Sequence, residues 1–185
     1  MARATKAQSE ATERRLREVA RELFAEQGYA AVGLERVAEA AGVTRGAVYH
    51  HFGDKLGLFT AVLADAHAVI ADAVAQAAPG AGWSAIRVGS AAFLRAAVEP
   101  GIRRIVLVDG PAVVGWESWR RMDSQHSTKL LAEGLAALDD LAVDPGAAGA
   151  LLGGAMNEAA IWIADGGRPE LAEAALNRMI DSLRR

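Results

Sequence analysis

The sequence predicts an all-α chain of about nine helices, a three-helix helix-turn-helix unit followed by a larger helical bundle. Three observations carry this. Apolar residues recur at helical rather than alternating spacing, and no period-2 run of β-branched residues occurs. The interruptions fall at glycine and proline clusters: Glu99-Pro100-Gly101, Gly110-Pro111, Asp144-Pro145 and Gly166-Gly167-Arg168-Pro169.

The first helix lies in RRLREVARELFAEQGY, where Leu16, Val19, Ala20, Leu23 and Phe24 form one amphipathic stripe and Gly28 supplies the stop. LERVAEAA is a second, short helix with Leu34, Val37, Ala38 and Ala41 on one face, broken by Gly42. Thr44 is placed to cap the third helix through its hydroxyl, Gly53 ends that helix, and Asp54 is placed to cap the fourth. The fourth reads as one long helix over DKLGLFTAVLADAHAVIADAVAQAA, with Leu56, Phe59, Val62, Leu63, Ala66 and Ile70 as its stripe, closed by PGAG at 79–82. The remainder gives helices at about 83–98, 101–109, 111–141, 145–165 and 169–184, most of them begun by a proline at the first helical position. The expected domains are 1–53 and 54–185.

At 185 residues the chain can bury a substantial core. The absence of cysteine excludes disulfides, thiolate zinc sites and cysteine nucleophiles. The polar N-terminal stretch MARATKAQSEATERR lacks the apolar core of a secretory signal. Asp65, Asp72, Glu158 and Asp165 interrupt the richest apolar stretches, so no run is expected to reach the roughly 18 residues of a membrane span. A soluble, cytoplasmic chain with no membrane partner is the expectation. A net charge of −3 argues against nonspecific coating of nucleic acid. Residues 1–55 hold nine Lys+Arg against eight Asp+Glu and the remainder eleven against fifteen, an asymmetry with the sign of an N-terminal nucleic-acid module.

In a helix-turn-helix, the first helix needs a small residue where it nearly touches the second. The turn needs a glycine, and the second helix needs an apolar residue that packs back. Ala38, Gly42 and Val48 meet those requirements in a unit starting at Leu34, with Val37 and Val43 beside them. The surrounding segment, LFAEQGYAAVGLERVAEAAGVTRGAVYHHFGDKLGLF at 23–59, closely resembles the N-terminal signature of the TetR family of bacterial one-component transcriptional regulators. The C-terminal two thirds resemble that family in length and helix count. The resemblance implies an N-terminal domain that reads double-stranded operator DNA, and a C-terminal domain that binds a small-molecule ligand and forms a homodimer. One departure stands out: Val32-Gly33 occupy the place where the family has a threonine followed by a hydroxyl cap.

Recognition helices set their N-terminal residues against base edges, which nominates Thr44, Arg45, Gly46 and Ala47. Arg45 alone among them can bond guanine O6 and N7 in bidentate fashion, and Gly46 and Ala47 allow close approach or contact with a thymine methyl. Tyr49, His50 and Lys55 are the expected phosphate contacts, Lys55 aided by the N-terminus of the fourth helix. Val43, Val48 and Phe52 are core residues by their spacing. His51 is open between helix packing, a local hydrogen bond and a DNA contact. Metal binding by His50 and His51 is disfavoured, because adjacent helical positions diverge by about 100°. No metal and no cofactor is expected.

Further on, Trp116, Trp119, Asp123 and His126 follow one another at spacings of three, four and three, an apolar wall with placed polar groups. They are the ligand-binding candidates, with Phe93 and Met122 beside them. The alternative is that the tryptophans are bundle core, with Asp123 and His126 at its wet end. In 145–165, Gly146, Gly149, Ala150, Gly153, Ala160 and Ala164 form a ridge of small residues that lets another helix come close. The last helix offers Leu171, Ala175, Leu176, Met179 and Leu183. The resemblance implies that these two helices form the dimer interface, for which Gly149, Gly153, Asn157, Ala160, Leu176 and Met179 are the candidates. The alternative is packing within one subunit. Asn157 and Glu158 need partners in so apolar a helix.

The expected function is a ligand-responsive DNA-binding regulator, a homodimeric repressor released from a palindromic operator by a small molecule. The rivals are a helical enzyme using Asp123 and His126 as an acid–base pair and a helical small-molecule-binding protein that does not bind an operator. No enzyme activity is expected, because nothing else in the chain supplies a nucleophile, a phosphate loop or a metal triad.

Overall fold

A computed structural model describes residues 6–185; the first five residues of the polar N-terminal stretch lie outside the described residues. The elements are α1 (Lys6–Gln27), α2 (Leu34–Ala41), α3 (Arg45–Phe52), α4 (Lys55–Ala77), α5 (Trp83–Ala97), α6 (Pro100–Arg103), a π-helical segment (Arg104–Asp109), α7 (Gly110–Val114), α8 (Trp116–Ser124), α9 (Ser127–Ala136), α10 (Pro145–Ala164) and α11 (Pro169–Asp181). Among the described residues there is no β-strand, only one isolated bridge between Leu141 and Arg184.

The N-terminal unit closes because the stripes of α1 and α2 meet. Leu16, Ala20, Leu23 and Phe24 are buried with Leu34, Val37, Ala38 and Ala41, and Val48 of α3 completes the cluster. Arg15 Nε donates to the Ala41 carbonyl at 2.8 Å, satisfying an acceptor left free at the end of α2. Gly42 takes the left-handed conformation there, φ 69°, which a side chain would strain.

α4 is the spine, packed against α1, α3, α5, α9 and the π segment. Its buried stripe differs from the expected one at the start. Leu56 is 43% exposed and Leu58 is fully buried, because the helix turns Leu58, Phe59, Val62, Leu63, Ala66 and Ile70 toward its neighbours. α4 and α10 are also long and apolar enough to cross a membrane by length and composition, so the acidic interruptions do not prevent that, contrary to expectation. In the fold each lays a stripe against other helices of the chain.

The expected helices 101–109 and 111–141 are divided differently. Residues 100–114 run on through Gly110-Pro111, with a π-helical segment just ahead of the proline. A proline cannot donate within a helix and its ring crowds the preceding turn; the wider π turn accommodates both. Gly110 is fixed by close approach, since a Cβ there would stand 2.9 Å from the Ile105 carbonyl oxygen and from Trp119. The chain breaks instead at Gly115, φ 81°, and again at Gln125-His126, and α9 ends at Ala136.

Candidate functional site

α3 is short, and its caps come from the local sequence. Thr44 Oγ1 accepts the Ala47 amide at 3.2 Å, and Asp54 Oδ1 accepts the Gly57 amide at 2.7 Å to start α4. α2 has no side-chain cap at Gly33, and Val32 is buried, as the missing hydroxyls require. Val48 is fully buried, while Val43 and Phe52 are half-buried against the core. The opposite side of α3 is open: Thr44, Arg45, Gly46, Tyr49 and His50 are exposed and Ala47 is half-buried.

Arg45 is already engaged on that face. Its guanidinium forms an ion pair with Glu35 of α2, donates to the Tyr49 hydroxyl at 2.9 Å, and stands 5.1 Å from the Tyr49 ring centroid. The Tyr49 bond, then the Glu35 charge, holds the guanidinium firmly protonated. Any other partner of the guanidinium on this face has to displace the Glu35 carboxylate. Lys55 Nζ lies 4.3 Å from the Tyr29 ring centroid and 3.3 Å from the Ala30 carbonyl, which ties the start of α4 to the segment after α1. His51 is half-buried, its ring edge-on to His50 and tilted against Phe52.

The six expected ligand residues do not line one cavity: Trp116, Trp119, Met122 and Asp123 share α8, His126 lies beyond its end and Phe93 is on α5. Phe93 is core. Trp116 is 59% exposed and stacks on Trp119, which is buried and donates Nε1–H to the Val106 carbonyl at 2.6 Å. That acceptor lies in the π segment. Met122 is half-buried, and its carbonyl lies 2.7 Å from His126 Nδ1. Asp123 and His126 do come together, around a residue that the sequence reading missed: His67 of α4. The His67 ring is fully buried, stacked on His126 at 5.6 Å and tilted against Trp119 at 6.1 Å. Neither ring nitrogen has a hydrogen-bond partner, and Asp123 Oδ1 is 3.9 Å from Nδ1, too far for one. Burial, then the neighbouring His126, lowers its pKa to about 4, so the imidazole is neutral near pH 7. Burial raises the Asp123 carboxyl above its ordinary range despite hydrogen bonds from Thr128 (2.9 Å) and Asn157. The sequence signal was there: His67 follows Phe59 and Leu63 at four-residue steps on the buried stripe.

The C-terminal half of α4, α5 and α9, with Met156 of α10, line a half-open cavity of about 360 Å³ that none of the six expected residues lines. The candidate interface residues separate likewise. Gly149 and Gly153 are buried against Ala132 and Thr128 of α9, while Ala160 and Leu176 are buried in the core. Asn157 is half-buried beside Asp123, and Met179 is exposed. What α10 and α11 leave open is a different apolar surface, including Leu151 (74% exposed), Ile161, Trp162 (46%), Leu171 and Met179.

Comparison with known proteins accords with this geometry. A family model described as bacterial regulatory proteins, tetR family, matches residues 16–62, and one described as tetracyclin repressor-like, C-terminal domain, matches residues 83–185. The HTH-type transcriptional regulator AcrR of Shigella flexneri is 47% identical over 62 residues, 34% of this chain and 29% of that protein. The matches span 29%, 30% and 48% of the first three curated relatives' lengths. A crystal structure of a TetR-family transcriptional regulator from Pectobacterium atrosepticum is 35% identical with a TM-score of 0.74, covering 97% of this chain and 95% of that one. NalD of Pseudomonas aeruginosa, described as the secondary repressor of the MexAB-OprM multidrug efflux pump, is 25% identical with a TM-score of 0.69 over 97% and 99% of the two chains. These relatives are named as regulators, not as enzymes.

Proposed function

Because this chain belongs to the TetR family of bacterial regulatory proteins, we propose that it is a cytoplasmic DNA-binding transcriptional repressor, a homodimer that holds a palindromic operator and releases it when a small molecule occupies its C-terminal bundle. Residues 1–53 bind the duplex and residues 54–185 carry dimerisation and ligand response. The carrying observation is α3 itself: it is capped by Thr44 and anchored by the fully buried Val48, and Thr44, Arg45 and Gly46 at its N-terminal end are exposed, Arg45 exchanging Glu35 for a base edge on binding. Arg45 reads guanine, Gly46 and Ala47 permit close approach, and Tyr49, His50 and Lys55 meet phosphates.

The open face of α10 and α11 supports dimerisation. Leu151, Ile161, Trp162, Leu171 and Met179 are large apolar side chains left uncovered on these two helices. Two copies of α3 related by a two-fold axis would read half-sites about 34–36 Å apart or slightly more. A ligand bound more tightly by the spacing that does not fit the operator shifts the population away from DNA by no more than its differential affinity.

The test is a duplex titration at fixed salt, with DNA flanking the protein's own gene against a shuffled duplex of equal length. A preference of about a thousandfold or more for the flanking DNA is expected; equal affinity for the two would refute operator recognition.

A further inference from the structure

The α2–α3 unit neutralises its own positive charge. Residues 34–53 hold two side chains of permanent positive charge, Arg36 and Arg45, against two carboxylates, Glu35 and Glu39. Each arginine is paired with one of them: Arg36 Nη1 lies 3.1 Å from Glu39 Oε2, and Arg45 Nη1 pairs with Glu35 Oε1. The two pairs differ in kind. Arg36 and Glu39 are three residues apart on one face of α2, an ordinary local pair. Arg45 and Glu35 instead reach across the turn from α3 to α2, and the Tyr49 hydroxyl holds the same guanidinium on a second side at 2.9 Å. Glu35 stands in the first turn of α2, where no side chain caps the helix at Gly33, so the unpaired amides of that turn favour its negative charge.

We propose that Glu35 is an internal competitor for the base: in the free protein its carboxylate occupies the guanidinium that reads guanine, and it thereby holds operator affinity below what the same α3 would reach without it. The proposal rests on the reading above that α3 reads DNA. Different duplexes are affected unequally. Where a guanine stands in reach, Arg45 leaves Glu35 for two base acceptors, and the carboxylate is left unpaired against a polyanion; both changes subtract from operator affinity. On DNA without that guanine the guanidinium stays on Glu35, the pair stays neutral, and neither change occurs. Glu35 therefore lowers the operator's advantage over other DNA as well as its affinity. A carboxylate that only repelled phosphates would weaken binding to all duplexes alike, because each carries the same backbone charge.

The test is a titration of the full chain at about 50 mM salt with operator and shuffled duplexes of equal length, for the parent, Glu35→Gln, Arg45→Ala and the double variant. Both side chains are more than half exposed, so neither substitution disturbs the core. Glu35→Gln should tighten the operator by about three- to tenfold, the gain of a broken ion pair and a removed repulsion. The shuffled duplex should tighten by no more than about twofold, since a residue aimed at base edges gains no phosphate. In the Arg45→Ala background, Glu35→Gln should move the two duplexes by the same factor, within about twofold. An operator that gains nothing, an equal gain on both duplexes, or an operator-specific gain that survives Arg45→Ala would each overturn the competition. So would a loss on the operator, which would show Glu35 supporting Arg45 at the base. The parent's own preference for the operator tests the regulator reading in the same titration. A parent without that preference refutes the reading and the competition with it; a parent that has it, beside an unimproved Glu35→Gln, refutes the competition alone.

Discussion

Asp109 Oδ2 accepts the backbone N–H of Tyr29 at 2.9 Å, so the end of the π segment holds the chain just beyond α1. Arg104, at the start of the same segment, donates to the Glu26 carbonyl at 3.1 Å and lies over Gly28. The Tyr29 ring in turn rests on Phe24 and Phe59 and under the Lys55 ammonium. A continuous set of contacts therefore runs from the bundle, through the first loop, to the start of α4 beside α3. On this geometry the π segment, as well as α4, ties the C-terminal bundle to the N-terminal helices.

Asp109→Ala removes the acceptor from a partly buried amide. A loss of about 1–2 kcal/mol in urea denaturation is expected, together with weaker operator binding as Tyr29 and Lys55 lose their support. Asp109→Asn, which keeps an acceptor oxygen, should restore most of both; unchanged stability in the alanine variant would show that the contact is dispensable.

Trp119→Phe keeps most of the ring but loses the Nε1–H donor to the Val106 carbonyl. The expected cost is about 1–3 kcal/mol, since that carbonyl is left without this donor in a buried region. Thermal unfolding should show it, and a variant as stable as the parent would mean that the bond adds nothing net.

The pH dependence should carry the signature of His67. Its folded pKa, about 4, lies below the unfolded value of 6.5, so between those values the unfolded chain binds a proton that the folded chain excludes. Stability is fully present above 6.5 and falls as pH drops toward 4, by up to about 3 kcal/mol. Asp123 has the opposite sign: its raised folded pKa favours the folded state at low pH and offsets part of the loss. His67→Gln should flatten the decline between about pH 6.5 and 4. A decline identical to the parent's would contradict the assignment.

The N-terminal unit was legible because its determinants are local. Thr44 and Asp54 each cap an amide three residues on, and all four apolar residues of the α2 stripe are buried. The bundle was less so. Gly110-Pro111 and Gly115 offer the same kind of break signal, and only the distant contacts of Gly110 with Leu63 and Trp119 show which of them the helix runs through. His67 sat on a visible stripe, but its neighbours Asp123 and His126 come from another part of the chain. Within the small-residue ridge of α10, Gly149 and Gly153 meet α9 of the same chain while Gly146 and Ala150 stay exposed, a division that small size alone does not reveal. Of the expected last-helix stripe, Leu171, Ala175 and Met179 stay exposed and only Leu176 is buried, beside Ala172 and Ile180, which the sequence pattern left out.

Trp162→Glu places a charge in the open apolar face of α10. Sedimentation should show a dimer for the parent and a monomer for the variant, with operator binding weakened accordingly. A variant that remains dimeric would locate the interface elsewhere.

The most direct measurement compares Arg45→Ala with the parent on operator and on shuffled duplex at one salt concentration. Specific binding should weaken by about ten- to a hundredfold while shuffled-duplex binding changes by no more than about threefold, since the lost contact reads a base. Equal losses on both duplexes, or no loss on the operator, would contradict the assignment of α3 as the reading helix.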